Sequence, residues 1–333
     1  MLPFILRRTA YMIVILLLAS FAVYLIFAAL PFDPAALTCG KNCTPTVIAA
    51  NRHRLGYDLP LVEQYWKFIQ GLWAGRNYGT GAAAFECPAP SMGYSFRAKS
   101  CVTDMVVRAF PATLGLAIGA EILFLTLGIG LGVVAARKRG KLADRGATVF
   151  VLMATSLPSF FVGLLLLLIF SIRLGWFPNS LSGLGFPSIT KEPLQWFRIM
   201  VLPWATLGLV SAAIYTRYSR AQVLEIGSED FVRTARAKGV SEKIVLRKHI
   251  LRAALAPLIT LAALDFAGLL GGAVFTESIF GLPGMGRLAI NSINNIDLPV
   301  VTALTLIAAA IVIIANMVVD IMYAVVDPRV RNV

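Results

Sequence analysis

The chain has 333 residues, 58% of them hydrophobic and 14% charged, with a mean hydropathy of +0.78. A soluble globular chain carries about 25% charged residues, so this composition excludes that class and leaves a polytopic membrane protein. The formal charge of +13 is spread over the ends of apolar runs instead of forming one patch, which sets aside a nucleic-acid partner in favour of membrane lipid.

Crossing about 30 Å of hydrocarbon at 1.5 Å per residue takes roughly 20 residues. Six apolar runs meet that length and predict an all-α fold with six transmembrane helices, at about 9–30, 110–136, 147–172, 200–219, 254–276 and 299–326. The first follows Arg7 and Arg8, as a signal peptide would. Thr9 to Leu30 nevertheless exceeds a signal core and lacks a small-x-small cleavage site, so it is read as a retained span.

Lys and Arg set the orientation. With the N-terminus inside, the inner segments hold 18 of the 30 basic residues: Arg7 and Arg8, then Arg137, Lys138, Arg139, Lys141 and Arg145, then nine between Arg217 and Arg252, then Arg329 and Arg331. The two shorter outer loops hold Arg173, Lys191, Arg198 and Arg287. The positive-inside rule then places both termini in the cytoplasm of a multi-pass protein of the cytoplasmic membrane.

Between spans one and two lies an extracellular segment, about Pro31 to Val107, too interrupted by Gly and Pro to predict a core of its own. Within it Leu61, Tyr65, Phe68, Ile69, Leu72 and Trp73 recur at helical spacing, which fits a helix lying on the membrane surface or on the bundle. All four cysteines, Cys39, Cys43, Cys87 and Cys101, fall here, as expected of an oxidising face. The simplest pairing is Cys39–Cys43 and Cys87–Cys101, although four cysteines allow three connectivities. Cys39-Gly-Lys-Asn-Cys43 also has usable metal spacing, but His53 is isolated and no His lies beside the second pair, so no metal is expected.

Within the spans, Gly115 with Gly119, Gly128 with Gly132 and Gly268 with Gly272 place small residues one turn apart, where backbones can approach closely. Glu121, Asp265, Asn316 and Asp320 interrupt the apolar runs. A mid-bilayer carboxylate costs roughly 3 kcal/mol on insertion scales, so these residues are expected to face the bundle or a wet path and are candidates for a translocation route.

The charged island Arg217 to Arg252 separates two spans. Ser228 can cap a helix whose first turn holds Glu229 and Asp230, against the positive end of its dipole; Lys238 favours the negative end, and Gly239 can adopt a left-handed stop. A second helix is predicted from a Ser241 cap to about Leu251. Phe231 and Ala235 share a face at i and i+4, beside Arg233 and Arg236. Headgroup binding by a basic amphipathic segment would account for the island on physics alone.

Glu229-Asp230-Phe231-Val232-Arg233-Thr234-Ala235-Arg236-Ala237-Lys238-Gly239 resembles the cytoplasmic coupling loop of ABC-importer permeases, and more narrowly of the subfamily that imports dipeptides, oligopeptides or nickel. Leu6-Arg7-Arg8, Arg108-Ala109-Phe110-Pro111-Ala112-Thr113-Leu114, Ser156-Leu157-Pro158-Ser159-Phe160-Phe161, Phe280-Gly281-Leu282-Pro283-Gly284-Met285-Gly286-Arg287 and Asp327-Pro328-Arg329 resemble it too. The broad permease pattern begins Glu-Ala-Ala; here Arg233-Thr234-Ala235 stands in that place, while Gly239 keeps its own. The Cys39 to Cys43 loop and the stretch from Phe85 to Cys101 look like additions to the family's outer segment.

The resemblance implies a type I permease-like fold with three parts: residues 1–30, the outer segment 31–107 and a five-helix core 108–333 with its coupling loop at 217–252. It implies an ATP-driven importer subunit working by alternating access, the first of two paralogous permeases in a heterodimer. Two cytoplasmic ATPase subunits would hold ATP and Mg, and an extracellular or periplasmic binding protein would deliver substrate, with Glu277 and Arg287 as candidate contacts at the outer mouth. No phosphate loop is present, since Gly140-Lys141 continues into Leu142, and with only His53 and His249 no nucleophile and base pair points to an enzyme. The alternative is an ion-coupled secondary transporter, against which stand the absence of a clear internal repeat and the capped helical handle.

Overall fold

The computed structural model describes residues 2–28, 35–36, 44–55, 58–78, 85–178 and 186–326. Among them four helices are long and apolar enough to cross a membrane: α1 (Leu2–Ala28), α4 (Val102–Arg137), α7 (Pro193–Ile226) and α13 (Leu298–Val326). Two further spans come as bent pairs, which brings the number to six when each pair is one span. The first joins α5 (Leu142–Ser156) to α6 (Ser159–Leu166) and its π-helical extension Leu167–Arg173; the second joins α9 (Glu242–Ile244), a π-helical stretch Val245–Ile250 and α10 (Leu251–Leu270). Pro158 and Pro257 stand at the bends, where a missing N–H and ring clash interrupt the hydrogen-bond ladder. Hydropathy predicts the run 147–172 as one rod, yet its two halves diverge by 97°.

The remaining elements are short: α2 (Pro45–Leu55), α3 (Leu61–Ala74), the strands β1 (Arg76–Tyr78), β2 (Phe85–Cys87), β3 (Tyr94–Ser95) and β4 (Ser100–Cys101), and the helices α8 (Asp230–Ala237), α11 (Val274–Phe280) and α12 (Met285–Asn294). The chain divides into two units, residues 1–112 with 283–333 and residues 113–282; α4 contributes its first turns to one and the rest to the other.

In the first unit α1 packs along α13, while β1 pairs antiparallel with β2 (Arg76 opposite Cys87) and β3 with β4 (Tyr94 opposite Cys101). Cys87 and Cys101 form a disulfide between the two hairpins, with Cα atoms 5.7 Å apart, beside a buried cluster of Tyr78 and Tyr94. Phe85 stacks on Tyr94 at 4.9 Å and Phe96 meets its edge at 4.9 Å, so the segment has a small aromatic core that composition did not reveal. Cys39 and Cys43 lie outside the described residues. His53, isolated in the sequence, hydrogen-bonds Asp58 at 2.6 Å, and that bond holds the Asp58 carboxyl below the usual carboxylate range.

Ile296, between α12 and α13, has a φ of +54°, a left-handed conformation that costs a non-glycine residue about 1–2 kcal/mol. The turn is closed by the Ile296 amide donating to Ile293 O and the Asp297 amide to Ser292 O. Asp297 is buried and accepts a short hydrogen bond from Ser95 Oγ on β3, tying this turn to the hairpin.

In the second unit α7 is central, touching α5, α6, α10 and α11. Its fit against α4 depends on glycine. Added Cβ atoms at Gly115, Gly119, Gly128 and Gly132 would fall within 2.6 Å, 2.0 Å, 2.6 Å and 1.9 Å of Trp196, Trp204, Tyr215 and Ser219 on α7. Trp204 Nε1 also donates to Gly115 O at 3.0 Å. In the opposite direction, Gly208 of α7 receives Leu123 of α4. The predicted third pair behaves differently: Gly268 has open space around it, and Gly272 lies beyond the end of α10.

Candidate functional site

The predicted coupling string folds as α8 and its flanks, and its two faces have separate tasks. Val232, fully buried, and Ala235 dock into a cluster with Ala136 of α4, Val223 of α7, Val245 and Ile250 of the π-helical stretch and Ala254 of α10. Phe231 is 47% exposed on the other side. Phe231 and Ala235 therefore do not act as one face, because the i, i+3 pair Val232 and Ala235 carries the docking.

Burying a Val side chain contributes about 1.5–3 kcal/mol, whereas an exposed ion pair contributes about 0.2–1 kcal/mol. The apolar root, more than the surrounding charges, holds α8 in place. Arg236 adds direction: its Nε donates to Glu242 Oε1 at 2.7 Å and its Nη1 to Gly227 O at 3.2 Å, linking the segments before and after the helix. Arg233 pairs with Asp230 at 3.4 Å and remains largely exposed, as do Thr234, Ala237 and Lys238.

The helix ends as the sequence predicts. Gly239 has a φ of +73°, its amide donates to Arg236 O at 2.9 Å, and the Val240 amide reaches Ala235 O at 3.3 Å, the double closure of a left-handed stop. The start differs. Glu229 occupies the capping position without a side-chain cap, while Ser228 Oγ donates back to Glu225 O at 2.7 Å and extends the end of α7. Ser241 stands before α9, but that helix does not stop near Leu251; it continues through the π-helical stretch into α10, so the root of α8 packs on the first half of this bent span.

Nearby, Arg220 of α7 grips Asp144 of α5 with two prongs, Nε to Oδ1 at 2.6 Å and Nη2 to Oδ2 at 3.0 Å, and the Gly140 amide donates to Oδ2 at 2.9 Å. Neither residue was singled out from the sequence; a carboxylate just after a basic loop and an arginine in the last turns of a span were the available signals.

Of the intramembrane polar residues, two come together. Tyr215 Oη donates to Asp265 Oδ2 at 2.6 Å, and Glu121 lies close enough to Asp265 for their charges to interact. Glu121 Oε2 is buried and without a hydrogen-bond partner among the described residues. Tyr215 belongs to a buried cluster with Phe124, Ala212 and Leu258, whereas Asp265 is exposed. Asn316 belongs to the other unit and donates to its own helix at Val312 O, 3.0 Å away, while the side chain of Asp320 lies outside the described residues.

Glu277, expected at the outer mouth, has no exposed surface. Its Oε1 accepts a 2.8 Å hydrogen bond from Thr113 Oγ1 of the Arg108–Leu114 motif, so this carboxylate is turned into the interior and offers no surface to a binding protein. Arg287 is half-buried on α12.

Residues 128–332 match the family described as "Binding-protein-dependent transport system inner membrane component", and residues 1–117 match "Binding-prot-dependent transport system membrane comp, N-term". A protein of Brucella abortus (strain 2308), provisionally named a peptide transport system permease protein, is 36% identical over 327 residues, 98% of both chains. The glutathione transport system permease protein GsiC of Escherichia coli (strain K12) is 35% identical over 331 residues, 99% of both chains. In fold, a chain of the MetNI methionine ABC transporter, solved in inward facing conformations, aligns with a TM-score of 0.52 at 18% identity, over 68% of this chain and 97% of that one. Matches over residues 128–332 and 1–117 together establish that this chain belongs to the family of inner membrane components of binding-protein-dependent transport systems.

Proposed function

We propose that the chain is a permease subunit of an ATP-driven importer for di- or oligopeptides or a related small solute, paired with a paralogous permease and driven by two cytoplasmic ATPase subunits. ATP and Mg reside on those subunits, and a binding protein on the opposite side delivers the solute. Both termini face the cytoplasm, by the distribution of Lys and Arg. The relatives named for peptide and glutathione transport support the substrate class.

The observation that carries the reading is the construction of α8: an exposed Phe231 and basic rim on one side, and on the other an apolar root shared with α4, α7 and α10. A partner that grips the exposed side and changes shape on binding ATP pulls on three spans at once. Alternating access follows when the ATP-bound partner prefers one state of the bundle, since a partner with equal affinity for both shifts nothing. Glu121 of α4 and Asp265 of α10 are proposed to face the translocation route, and Arg287 to meet the binding protein.

The test is ATP hydrolysis by the complete complex in lipid, with binding proteins loaded with candidate peptides one at a time. Stimulation by a loaded peptide, together with uptake that stops when ATP is withheld, supports the reading. Uptake driven by a proton gradient without ATP overturns it.

A further inference from the structure

α3 has three different faces, and they divide its surroundings among protein, water and a third medium. Gln64, Tyr65 and Phe68 pack on α1: Tyr65 Oη lies 2.6 Å from Ser20 Oγ and donates to Leu17 O at 3.2 Å, Tyr24 Oη donates to Gln64 Oε1 at 3.0 Å, and Phe21 meets the Tyr65 ring at 5.1 Å. A second face carries Glu63 and Lys67, paired at 3.4 Å, with Gln70. At 100° per residue Val62, Trp66, Ile69 and Trp73 fall within an arc of about 60° on the remaining side. Val62 is 69% exposed, Trp66 65% and Trp73 83%.

The depth of this stripe follows from its partner. The span in α1 is Leu6–Ile26, so Leu17 and Ser20 lie about 13 Å and 9 Å before its end, at 1.5 Å per residue. A helix whose Tyr65 reaches those residues cannot stand clear of the bilayer that α1 crosses. Leu18, Leu25 and Ile26 of α1 are themselves exposed, so α1 too leaves apolar side chains open over the outer half of its span. Indole rings, apolar in body with one polar N–H, concentrate where hydrocarbon meets headgroup.

We propose that α3 is an interfacial membrane anchor, its Val62, Trp66, Ile69 and Trp73 stripe seated in the lipid headgroup and acyl-chain boundary while Glu63 and Lys67 stay in water. The anchor holds the chain between α1 and the hairpins at the membrane surface.

Tryptophan quenching in the assembled transporter tests this, in nanodiscs of phosphatidylcholine brominated on the acyl carbons nearer the headgroup. The emission lost between the wild type and the Trp66→Phe, Trp73→Phe double variant isolates the two indoles. That difference emission is expected to lose at least half its intensity in brominated lipid and to resist aqueous iodide. A nitroxide at Val62→Cys gives an independent readout, with relaxation enhanced more by oxygen than by a water-soluble nickel chelate. Quenching by iodide alone, or by neither agent because another protein covers the stripe, overturns the proposal, as does a nitroxide that favours the nickel chelate. None of these outcomes depends on which solute is carried or on ATP.

Discussion

Arg220 and Asp144, 76 residues apart, form a two-pronged ion pair that fastens the start of α5 to the last turns of α7. Because α7 runs on to the segment bearing α8, this clasp stands between α8 and a second span. Arg220→Met strands the carboxylate and Asp144→Asn strands the guanidinium, so each lowers the thermal unfolding midpoint and uncouples ATP hydrolysis from uptake. The double variant removes both charges and is expected to be less destabilised than the two single losses combined. Arg220→Lys does not restore the wild-type midpoint, since an ammonium cannot make the planar two-point contact. Additive losses in a thermal-shift cycle would contradict this arrangement.

Gly132 and Gly268 both sit in spans, yet only one is pressed against a neighbour. At Gly132 an added methyl meets Ser219 Oγ at 1.9 Å, Thr216 O at 2.6 Å and Arg220 N at 2.9 Å. Two of these are backbone atoms and cannot rotate away. Gly132→Ala should cost about 1–3 kcal/mol, the usual range for overpacking, whereas Gly268→Ala, with open space around it, should not destabilise. Unfolding midpoints in detergent compare them directly, and equal midpoints would refute the close approach of α4 and α7.

The two sides of α8 predict opposite phenotypes. Phe231→Ala leaves the unfolding midpoint unchanged and weakens ATPase assembly by about 2 kcal/mol, roughly thirtyfold, if Phe231 is a hot spot of that interface. Val232→Ala lowers stability by about 2 kcal/mol through the emptied root. Gly239→Ala costs about 1–2 kcal/mol through the left-handed backbone alone, as nothing lies near its added methyl. Pull-down affinity and thermal shift separate the three; a folding defect in Phe231→Ala would argue against the assignment of faces.

Asp297 predicts a pH effect. Burial away from water pushes its carboxyl above the ordinary carboxylate range, opposed by the hydrogen bond from Ser95 and by Arg97. The folded chain therefore binds this proton more readily than the unfolded one. Its contribution to stability is greatest below the ordinary carboxylate pKa and is lost as pH rises through the raised value. Asp297→Asn should flatten that slope in midpoints measured across mildly acidic to neutral buffers, and an unchanged slope would place the titration elsewhere.

The spans, the helix α8 and its glycine stop were legible because each depends on residues close in sequence: apolar length for the spans, and Lys238-Gly239 for the stop. The pairings of Arg220 with Asp144 and of Thr113 with Glu277 join residues far apart in the chain, and local patterns carry no such information. Ser228 shows a subtler limit. Its hydroxyl had two acceptable positions within reach, and the end of α7 took it in preference to the start of α8. Glycine spacing announced close packing but could not name the partner, which is why Gly128 with Gly132 and Gly268 with Gly272 looked alike.

The 97° bend between α5 and α6 leaves Thr155, Ser156, Leu157 and Pro158 exposed in the midst of an apolar run. Oil tolerates no bare peptide groups, and the last four carbonyls of any helix lack donors from their own turn. Thr155 and Ser156 turn their hydroxyls back to Val151 O and Leu152 O, but those bonds serve the preceding turn. In the working assembly this corner must therefore be shielded by a neighbouring polypeptide or bathed by solvent, and either condition fixes which side of the broken span is turned away from the fatty acyl chains.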